Sequence, residues 1–220
     1  MAPIKAVLFD HDGTLANSEV VHFQFWQRVL ADRGVAFVED DYRLHFTGVS
    51  ELNTAIAIKA RFQLTDCVAD LVAAKRAQAQ QYHATQVYPL MPGVNEVLLA
   101  LRRQGMRMAV VSGSARFALE ANLAGLGLGH FFEYIASGED VPNNKPAPDV
   151  YNQALHVLGL RPSECIAVED TASGLRAALA AGVATCVVPN SYSAHQDFSG
   201  ATKRVADLPE FLTWFNAHYR

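Results

Sequence analysis

Cysteine is scarce in this 220-residue chain, and its three cysteines, Cys67, Cys165 and Cys186, are odd in number and far apart. Such spacing predicts neither a disulfide framework nor a zinc site, and it favours a reducing, cytoplasmic location. A long apolar run is also missing near the beginning, because the first run ends after Phe9 at two aspartates. We therefore expect neither a cleavable signal peptide nor a membrane-spanning segment.

Charge of one sign is not concentrated anywhere in the sequence. Charged residues make up 18% of the chain, the net charge is -4, and no Lys/Arg cluster stands out. This pattern gives no electrostatic support for a nucleic-acid or anionic-membrane partner. Half of the residues are hydrophobic, which is ordinary for a soluble globular protein, and 220 residues suffice for one domain or for a domain plus a sizeable insertion. We expect a monomer or a weak homodimer.

Short apolar runs alternate with helical patterns along most of the chain. The helical patterns have proline near the start or glycine just past the end, which is the expected punctuation of helices. This alternation predicts a doubly wound, parallel α/β sheet with a Rossmann-like core. The predicted strands are Ile4–Phe9, Met108–Val111, Tyr134–Ala136, Ile166–Val168 and Ala184–Val188. The predicted helices of this region are Val94–Arg103, Arg116–Leu126, Pro148–Leu158 and Ala172–Ala181.

The connection between the first two strands is much longer than the others. α/β connections usually need a few residues and one helix, whereas here three helical patterns intervene: Ser18–Arg33, Glu51–Phe62 and Asp66–Ala84. We therefore predict an inserted helical cap domain over residues 16–88, with the core formed by residues 1–15 and 89–220. The polar stretch 189–202 is predicted to be a loop.

Polar side chains follow four of the predicted strands, where ligands bind in open α/β sheets. Asp10 and Asp12 follow the first strand, Ser112 and Gly113 the second, Lys145 comes after the third, and Glu169 and Asp170 follow the fourth. Several carboxylates on one rim favour a hard divalent cation such as Mg²⁺. A lysine and a serine beside them are suited to phosphate oxygens, and a carboxylate is a known nucleophile toward phosphorus.

Four motifs carry a family resemblance: DHDGT (10–14), VVSGS (110–114), NNKPAPD (143–149) and AVEDTASG (167–174). In this order they resemble the haloacid dehalogenase superfamily, and the helical insertion is similar to its cap domain. Among subgroups, the chain looks most like the cap-bearing sugar-phosphate phosphatases and the beta-phosphoglucomutases. The resemblance implies an Mg²⁺-dependent phosphatase that hydrolyses a small phosphorylated metabolite, such as a sugar phosphate, through an aspartyl-phosphate.

The resemblance also implies individual roles. Asp10 is expected to be the nucleophile and Asp12 the general acid and base. Mg²⁺ is expected to bind the carboxylate of Asp10, the backbone carbonyl of Asp12 and Asp170, with Glu169 beside it through water. Ser112, Lys145 and the backbone N–H of Gly113 are expected to bind the phosphate.

Specificity is expected to come from the cap. Ser18, His22 and Trp26 share one helix face, and His22 is a candidate substrate contact; packing of cap against core is the alternative. Thr47, Gly48 and Glu51 lie in a loop where the mutases carry basic residues. Glu51 is therefore expected to repel a second phosphate, unless it only caps the following helix. His11, between the two aspartates, is expected to point away from them, with no assigned role.

Two other functions remain open. The first is a sugar phosphomutase of the beta-phosphoglucomutase type, which the missing basic residues of the cap loop disfavour. The second is a phospho-receiver signalling domain, which also combines acidic residues, a lysine and a hydroxyl on an α/β sheet. A receiver domain is much shorter and has no helical cap, so the length of this chain disfavours it.

Overall fold

The computed structural model describes residues 3–219, and its centre is a six-stranded sheet in which every neighbouring pair of strands is parallel. The strand order is β3-β2-β1-β4-β5-β6. The direction of winding reverses between β1 and β4, where Phe9 pairs with Val168. The predicted parallel α/β core is confirmed. The strands are Ala6–Phe9, Arg107–Ser112, Tyr134–Ser137, Cys165–Glu169, Ala184–Val187 and Lys203–Arg204.

Helices cover both faces of this sheet because the side chains of each strand alternate between two apolar clusters. Val7 and Phe9 of β1 pack on one face, whereas Ala6 and Leu8 pack on the other. Every residue of β1 is buried, as expected for a central parallel strand. The core helices are α5 (Val94–Arg103), α6 (Arg116–Gly125), α7 (Asp149–Leu158), α8 (Ala172–Ala180) and α9 (Leu208–Tyr219).

Between β1 and α5 lies a group of four helices, called the cap below: α1 (Glu19–Ala31), α2 (Glu39–His45), α3 (Glu51–Phe62) and α4 (Val68–His83). Three of them match the predicted helical patterns, and α2 was not predicted. The cap has an apolar cluster of its own, built around Phe23, Trp26 and Ile58, and Tyr192 from the core packs against it. A separate cluster of this kind is what an inserted domain requires.

The two segments that join cap and core run side by side. Ala16 forms an antiparallel bridge with Leu90, and the N–H of Asn17 donates to the carbonyl of Pro89 at 2.7 Å. The domain boundaries at 15/16 and 88/89 stay a prediction, and this paired crossing lies where they were placed. Within residues 3–219, every helix is too short or too polar to cross a bilayer.

Candidate active site

A cavity of about 760 Å³ lies between the cap and the carboxyl ends of the strands. The core lines it with the predicted site residues other than Glu169, among them Asp10, Asp12 and Lys145, and the cap lines it with residues of α1, α3 and α4. The direction of winding reverses between β1 and β4. Ligand sites in doubly wound sheets usually lie at the carboxyl ends of the strands at this point.

Asp10, the first residue after β1, is 6% exposed and is held by a buried lysine. Lys145 donates from Nζ to Asp10 Oδ1 at 2.6 Å, to Glu169 Oε1 at 2.7 Å and to the carbonyl of Val111 at 2.8 Å. Burial lowers the pKa of Lys145, but the carboxylates of Asp10 and Glu169 outweigh it and raise the pKa above its ordinary value. Lys145 therefore stays charged and fixes the orientation of Asp10.

Three buried carboxylates, those of Asp10, Glu169 and Asp170, each place an oxygen within 4.8 Å of the others. Asp170 Oδ1 and Glu169 Oε2 are buried, and no residue within 3–219 forms a hydrogen bond with either oxygen. A buried carboxylate oxygen without a donor is costly unless a cation satisfies it. Because all the side-chain ligands are hard oxygens, the cluster fits a divalent metal ion, the kind of cofactor that the predicted chemistry requires.

The charge of this cluster is visible in the pKa values of its members. Burial raises the pKa of Asp10 to about 7; Lys145 lowers it, and the carboxylates of Glu169 and Asp12 raise it further. Burial, followed by the charges of Asp10 and Glu169, raises the pKa of Asp170 well above its ordinary value. One lysine therefore does not neutralise the three carboxylates.

Asp170 and Glu169 have further partners that the sequence did not reveal. Asn190 donates from Nδ2 to Asp170 Oδ2 at 2.8 Å and to the carbonyl of Gly13 at 3.1 Å. The hydroxyl of Tyr151 donates to Glu169 Oε1 at 2.6 Å. With Oε1 bonded to both Tyr151 and Lys145, only Oε2 of Glu169 remains for the cation or its water.

The side chain of Asp12 lies outside the cluster of three carboxylates and faces the cap. Its Oδ1 accepts from Ser18 Oγ at 2.6 Å and lies 3.1 Å from His22 Nε2. Its Oδ2 accepts from Ser114 Oγ at 2.5 Å. That its backbone carbonyl binds the metal stays a prediction.

The predicted phosphate-binding residues lie on the same side of the cavity as Asp10. Ser112 Oγ lies 3.3 Å from Asp12 Oδ2 and accepts from the N–H of Ser114 at 3.0 Å. The carbonyl of Gly113 accepts from Asn144 Nδ2 at 2.8 Å, and a Cβ at position 113 would lie 2.8 Å from the Asn144 amide oxygen. Asn144 therefore fixes the loop, which brings Ser112, Gly113 and Lys145 together.

The cap loop touches the core next to Asp170. Gly48 has a φ of +74°, and a Cβ there would lie 2.7 Å from the side chain of Thr171. The carbonyl of Thr47 accepts from Gln196 Nε2 at 3.2 Å, and among the described residues the buried Thr47 Oγ1 has no partner. Both residues therefore hold the cap close to Asp170, and their contact with a substrate stays a prediction.

Glu51 lines the cavity, but neighbouring cations compensate its charge, which removes the physical basis for the expected repulsion of a second phosphate. Glu51 pairs with Arg76 at 2.7 Å and with Lys75 at 3.2 Å, and Arg76 also pairs with Glu139 of the core at 2.9 Å. The basic residues on this wall of the cavity therefore belong to α4 and not to the cap loop. Two adjacent basic residues on a long helix gave no sign in the sequence that they face the cavity.

The family assignment follows from this fold and site together with one comparison. The model of the family described as "Haloacid dehalogenase-like hydrolase" matches residues 7–188. The chain therefore belongs to the haloacid dehalogenase-like hydrolases, and the resemblance carried by the four motifs is confirmed.

Individual relatives refine this assignment. The chain is 37% identical to Protein CbbY of Rhodobacter capsulatus over 218 residues, 96% of each chain. It is 30% identical to the fructose-1-phosphate phosphatase YqaB of Escherichia coli, over 80% of this chain and 92% of that protein. A mutant CbbY from Rhodobacter sphaeroides in complex with xylulose-(1,5)bisphosphate superimposes with a TM-score of 0.80 at 32% identity, covering 94% of this chain and 96% of that one.

Proposed function

We propose that this chain is an Mg²⁺-dependent phosphatase that hydrolyses phosphorylated sugars through an aspartyl-phosphate on Asp10. One observation carries the proposal: Asp10 is bonded to Lys145 and lies beside the two further buried carboxylates of Glu169 and Asp170. The carboxylate of Asp10, the ammonium group of Lys145 and the carboxylate of Asp170 therefore line one cavity. The chain is a phosphoric monoester hydrolase, in keeping with its family and with its relatives that are named as phosphatases.

Asp10 attacks phosphorus as the bond to the leaving sugar oxygen breaks. Lys145 holds Asp10 Oδ1, and no described residue donates to the other oxygen, Oδ2. Asp12 supplies a proton to the leaving oxygen and later removes one from the water that hydrolyses the aspartyl-phosphate. Ser112, the Gly113 N–H and Lys145 bind the phosphate oxygens. A divalent ion on Asp10, Asp170 and Glu169, when bound, screens the charge between carboxylate and phosphate.

Magnesium is the proposed ion because the side chains of the cluster offer only carboxylate oxygens. Such oxygens suit Mg²⁺ or Mn²⁺, whereas Zn²⁺ prefers sites with histidine or cysteine. We expect phosphate release to stop with EDTA and to return with Mg²⁺, and to recover poorly with Zn²⁺. Full recovery with Zn²⁺ alone would contradict the proposed ion.

The cap wall supports a sugar with a polar or anionic end opposite the reacting phosphate. Lys75 and Arg76 present N–H donors, and Glu51 and Glu139 balance their charge. A second phosphate can replace the carboxylate of Glu51 as the partner of these cations. The complex of the related CbbY with xylulose-(1,5)bisphosphate supports such a substrate. We therefore propose that bisphosphorylated sugars are accepted alongside monophosphates.

The experiment is a phosphate-release screen over sugar mono- and bisphosphates with Mg²⁺. Arg76→Gln should raise KM for a bisphosphate by about 10-fold or more, as expected for loss of a charge-assisted contact, and should change KM for a monophosphate much less. Arg43→Gln, at a partly exposed arginine outside the cavity lining, is the matched control. Equal changes in KM for the bisphosphate and the monophosphate would contradict the proposed contact between Arg76 and the second phosphate.

The proposed setting is a cytoplasmic enzyme whose partner is a small phosphorylated metabolite, with no nucleic acid and no membrane involved. A monomer or weak homodimer remains part of this proposal. Sedimentation at several protein concentrations, with and without Mg²⁺, tests the assembly state, and a stable higher oligomer would contradict it.

A further inference from the structure

His11 lies between the two catalytic aspartates, and the expectation that it points away from them is wrong. The chain turns sharply here, because the carbonyl of His11 accepts the N–H groups of Leu15 and Ala16, both at 2.9 Å. The expectation assumed an extended loop. In the turned loop the His11 side chain is 1% exposed, and its Nδ1 lies 3.3 Å from Asp12 Oδ1.

The tautomer of His11 is fixed by a neighbouring amide. The backbone N–H of Tyr88 donates to Asn122 Oδ1 at 2.5 Å, so the other end of this amide must be its NH₂ group. That group, Asn122 Nδ2, lies 3.1 Å from His11 Nε2. Nε2 therefore accepts, and the ring proton of neutral His11 is on Nδ1, the atom that faces Asp12.

The two oxygens of Asp12 then differ. Oδ1 accepts from Ser18, contacts His22 Nε2, and lies 3.3 Å from Nδ1 of His11, for which the described part of the chain offers no other partner. Oδ2 faces the hydroxyls of Ser112 and Ser114, in the loop proposed to bind phosphate. The N–H of His11 can only donate to Oδ1, whereas the hydroxyls beside Oδ2 can also accept a hydrogen bond, so a proton on Asp12 is carried by Oδ2.

We propose that His11, oriented by Asn122, is a positioning residue that directs Asp12 Oδ2 toward the leaving oxygen of the substrate. The inference rests on the proposed phosphatase function. In the first step the bond from Asp10 to phosphorus forms, the bond to the sugar oxygen breaks, and Asp12 Oδ2–H gives its proton to that oxygen. In the second step water gives a proton to Oδ2 and its oxygen to phosphorus, and Asp10 leaves as a carboxylate.

The test compares leaving groups, because only a poor leaving group needs the proton of Asp12. Fructose 1-phosphate has an alkoxide leaving group, and p-nitrophenyl phosphate has a phenolate that departs without a proton. kcat/KM reports the first step for both substrates. General acid catalysis contributes roughly 10²–10⁴-fold, so His11→Leu should lower kcat/KM for fructose 1-phosphate about 10- to 100-fold. For p-nitrophenyl phosphate the loss should stay within about 3-fold.

Two further variants complete the design. His83→Leu is the matched control, because His83 is half-buried and packs on the ring of Tyr88 with a centroid distance of 4.7 Å. It should leave the ratio of the two kcat/KM values unchanged. His11→Asn keeps an N–H donor near the place of Nδ1 and should restore the ratio to within about 5-fold of wild type.

An equal loss of kcat/KM for both substrates in His11→Leu, or no loss, would overturn the positioning role. If His11→Leu does not fold, His11→Asn is compared with His11→Gln, which moves the donor to the place of Nε2. The ratio of kcat/KM for fructose 1-phosphate to that for p-nitrophenyl phosphate should stay near the wild-type value in His11→Asn and fall in His11→Gln. Equal ratios in the two variants would overturn the inference. A folded wild-type protein that hydrolyses neither substrate would refute the proposed function itself, and the inference with it.

Discussion

Removal of one charge from the cluster of Asp10, Glu169 and Asp170 should make the metal-free protein more stable. The same change should abolish the increase in Tm that Mg²⁺ causes. The perturbation is Asp170→Asn. Asparagine has the shape of aspartate and keeps an acceptor oxygen for Asn190 Nδ2, which donates to Asp170 at 2.8 Å. Because Asp170 is fully buried, the substitution changes the local charge and little else.

The magnitude follows from the distances. Carboxylate oxygens within 4.8 Å of one another repel by about 3 kcal/mol per pair at an effective dielectric constant near 20. Asp170 takes part in two such pairs, with Asp10 and Glu169. Attraction to Lys145 and proton uptake offset most of this repulsion, and a weaker bond to Asn190 costs about 1 kcal/mol. We expect a net gain of about 1–3 kcal/mol, or roughly 2–10 °C in Tm.

Thermal melts in EDTA and in saturating Mg²⁺ provide the assay. Wild type should gain about 2.7 kcal/mol at a metal concentration 100-fold above Kd, and Asp170→Asn should gain little. Asp32→Asn, at an exposed position at the end of α1, is the charge-matched control and should behave as wild type. A lower Tm for Asp170→Asn in EDTA, combined with a normal shift in Mg²⁺, would refute the reasoning.

Three further predictions concern other parts of the molecule. Burial raises the pKa of Glu19 to about 8, despite the hydrogen bond from Tyr42. Folded protein therefore holds a proton that unfolded protein loses above about pH 4.5, and stability falls by about 1.4 kcal/mol per pH unit up to about pH 8. Glu19→Gln removes this contribution, so urea midpoints should favour the variant more at about pH 8 than at about pH 5; a pH-independent difference would contradict this. A Cβ at Gly174 would lie 1.9 Å from Glu169 Oε2, so Gly174→Ala should cost about 1–3 kcal/mol in chemical denaturation and weaken Mg²⁺ binding in titrations, whereas unchanged affinity would exclude Oε2 from the metal site. The loop 46–53 carries no lysine or arginine, so a coupled assay primed with the bisphosphate should detect no conversion of β-glucose 1-phosphate to glucose 6-phosphate; conversion faster than phosphate release would indicate a mutase.

The sequence was sufficient to predict the core because its signals are local. Buried parallel strands are continuous apolar runs, and five of the six strands were predicted within two residues of their observed ends. Helix α2 was missed because it has only seven residues, of which Tyr42 alone is buried. Strand β6 has two residues, which is too short for any pattern. Helix α9 was overlooked, although Leu208, Phe211 and Phe215 have helical spacing and are buried.

Some residues of the site could be predicted from local sequence signals, and others could not. The acidic pairs and Lys145 were predictable because parallel strands bring their carboxyl ends to one edge. Asn190 follows β5 at that edge, so the same rule applied to the fifth strand would have found it. The direction of Lys75 and Arg76 toward the cavity depends on how the cap packs, and the direction of His11 depends on a turn and on an amide 111 residues away. Such contacts arise only from the tertiary structure.

The central claim is that Asp10 becomes covalently phosphorylated during turnover. The direct measurement is to mix the enzyme with sugar phosphate and Mg²⁺, quench in acid within the first turnover, and reduce with borohydride. Borohydride converts an aspartyl-phosphate to homoserine, which peptide mass spectrometry locates in the sequence. If Asp10 is the nucleophile, we expect homoserine at position 10. We expect none in Asp10→Asn or in enzyme without substrate. Rapid phosphate release with unmodified Asp10 in every quenched sample would contradict it.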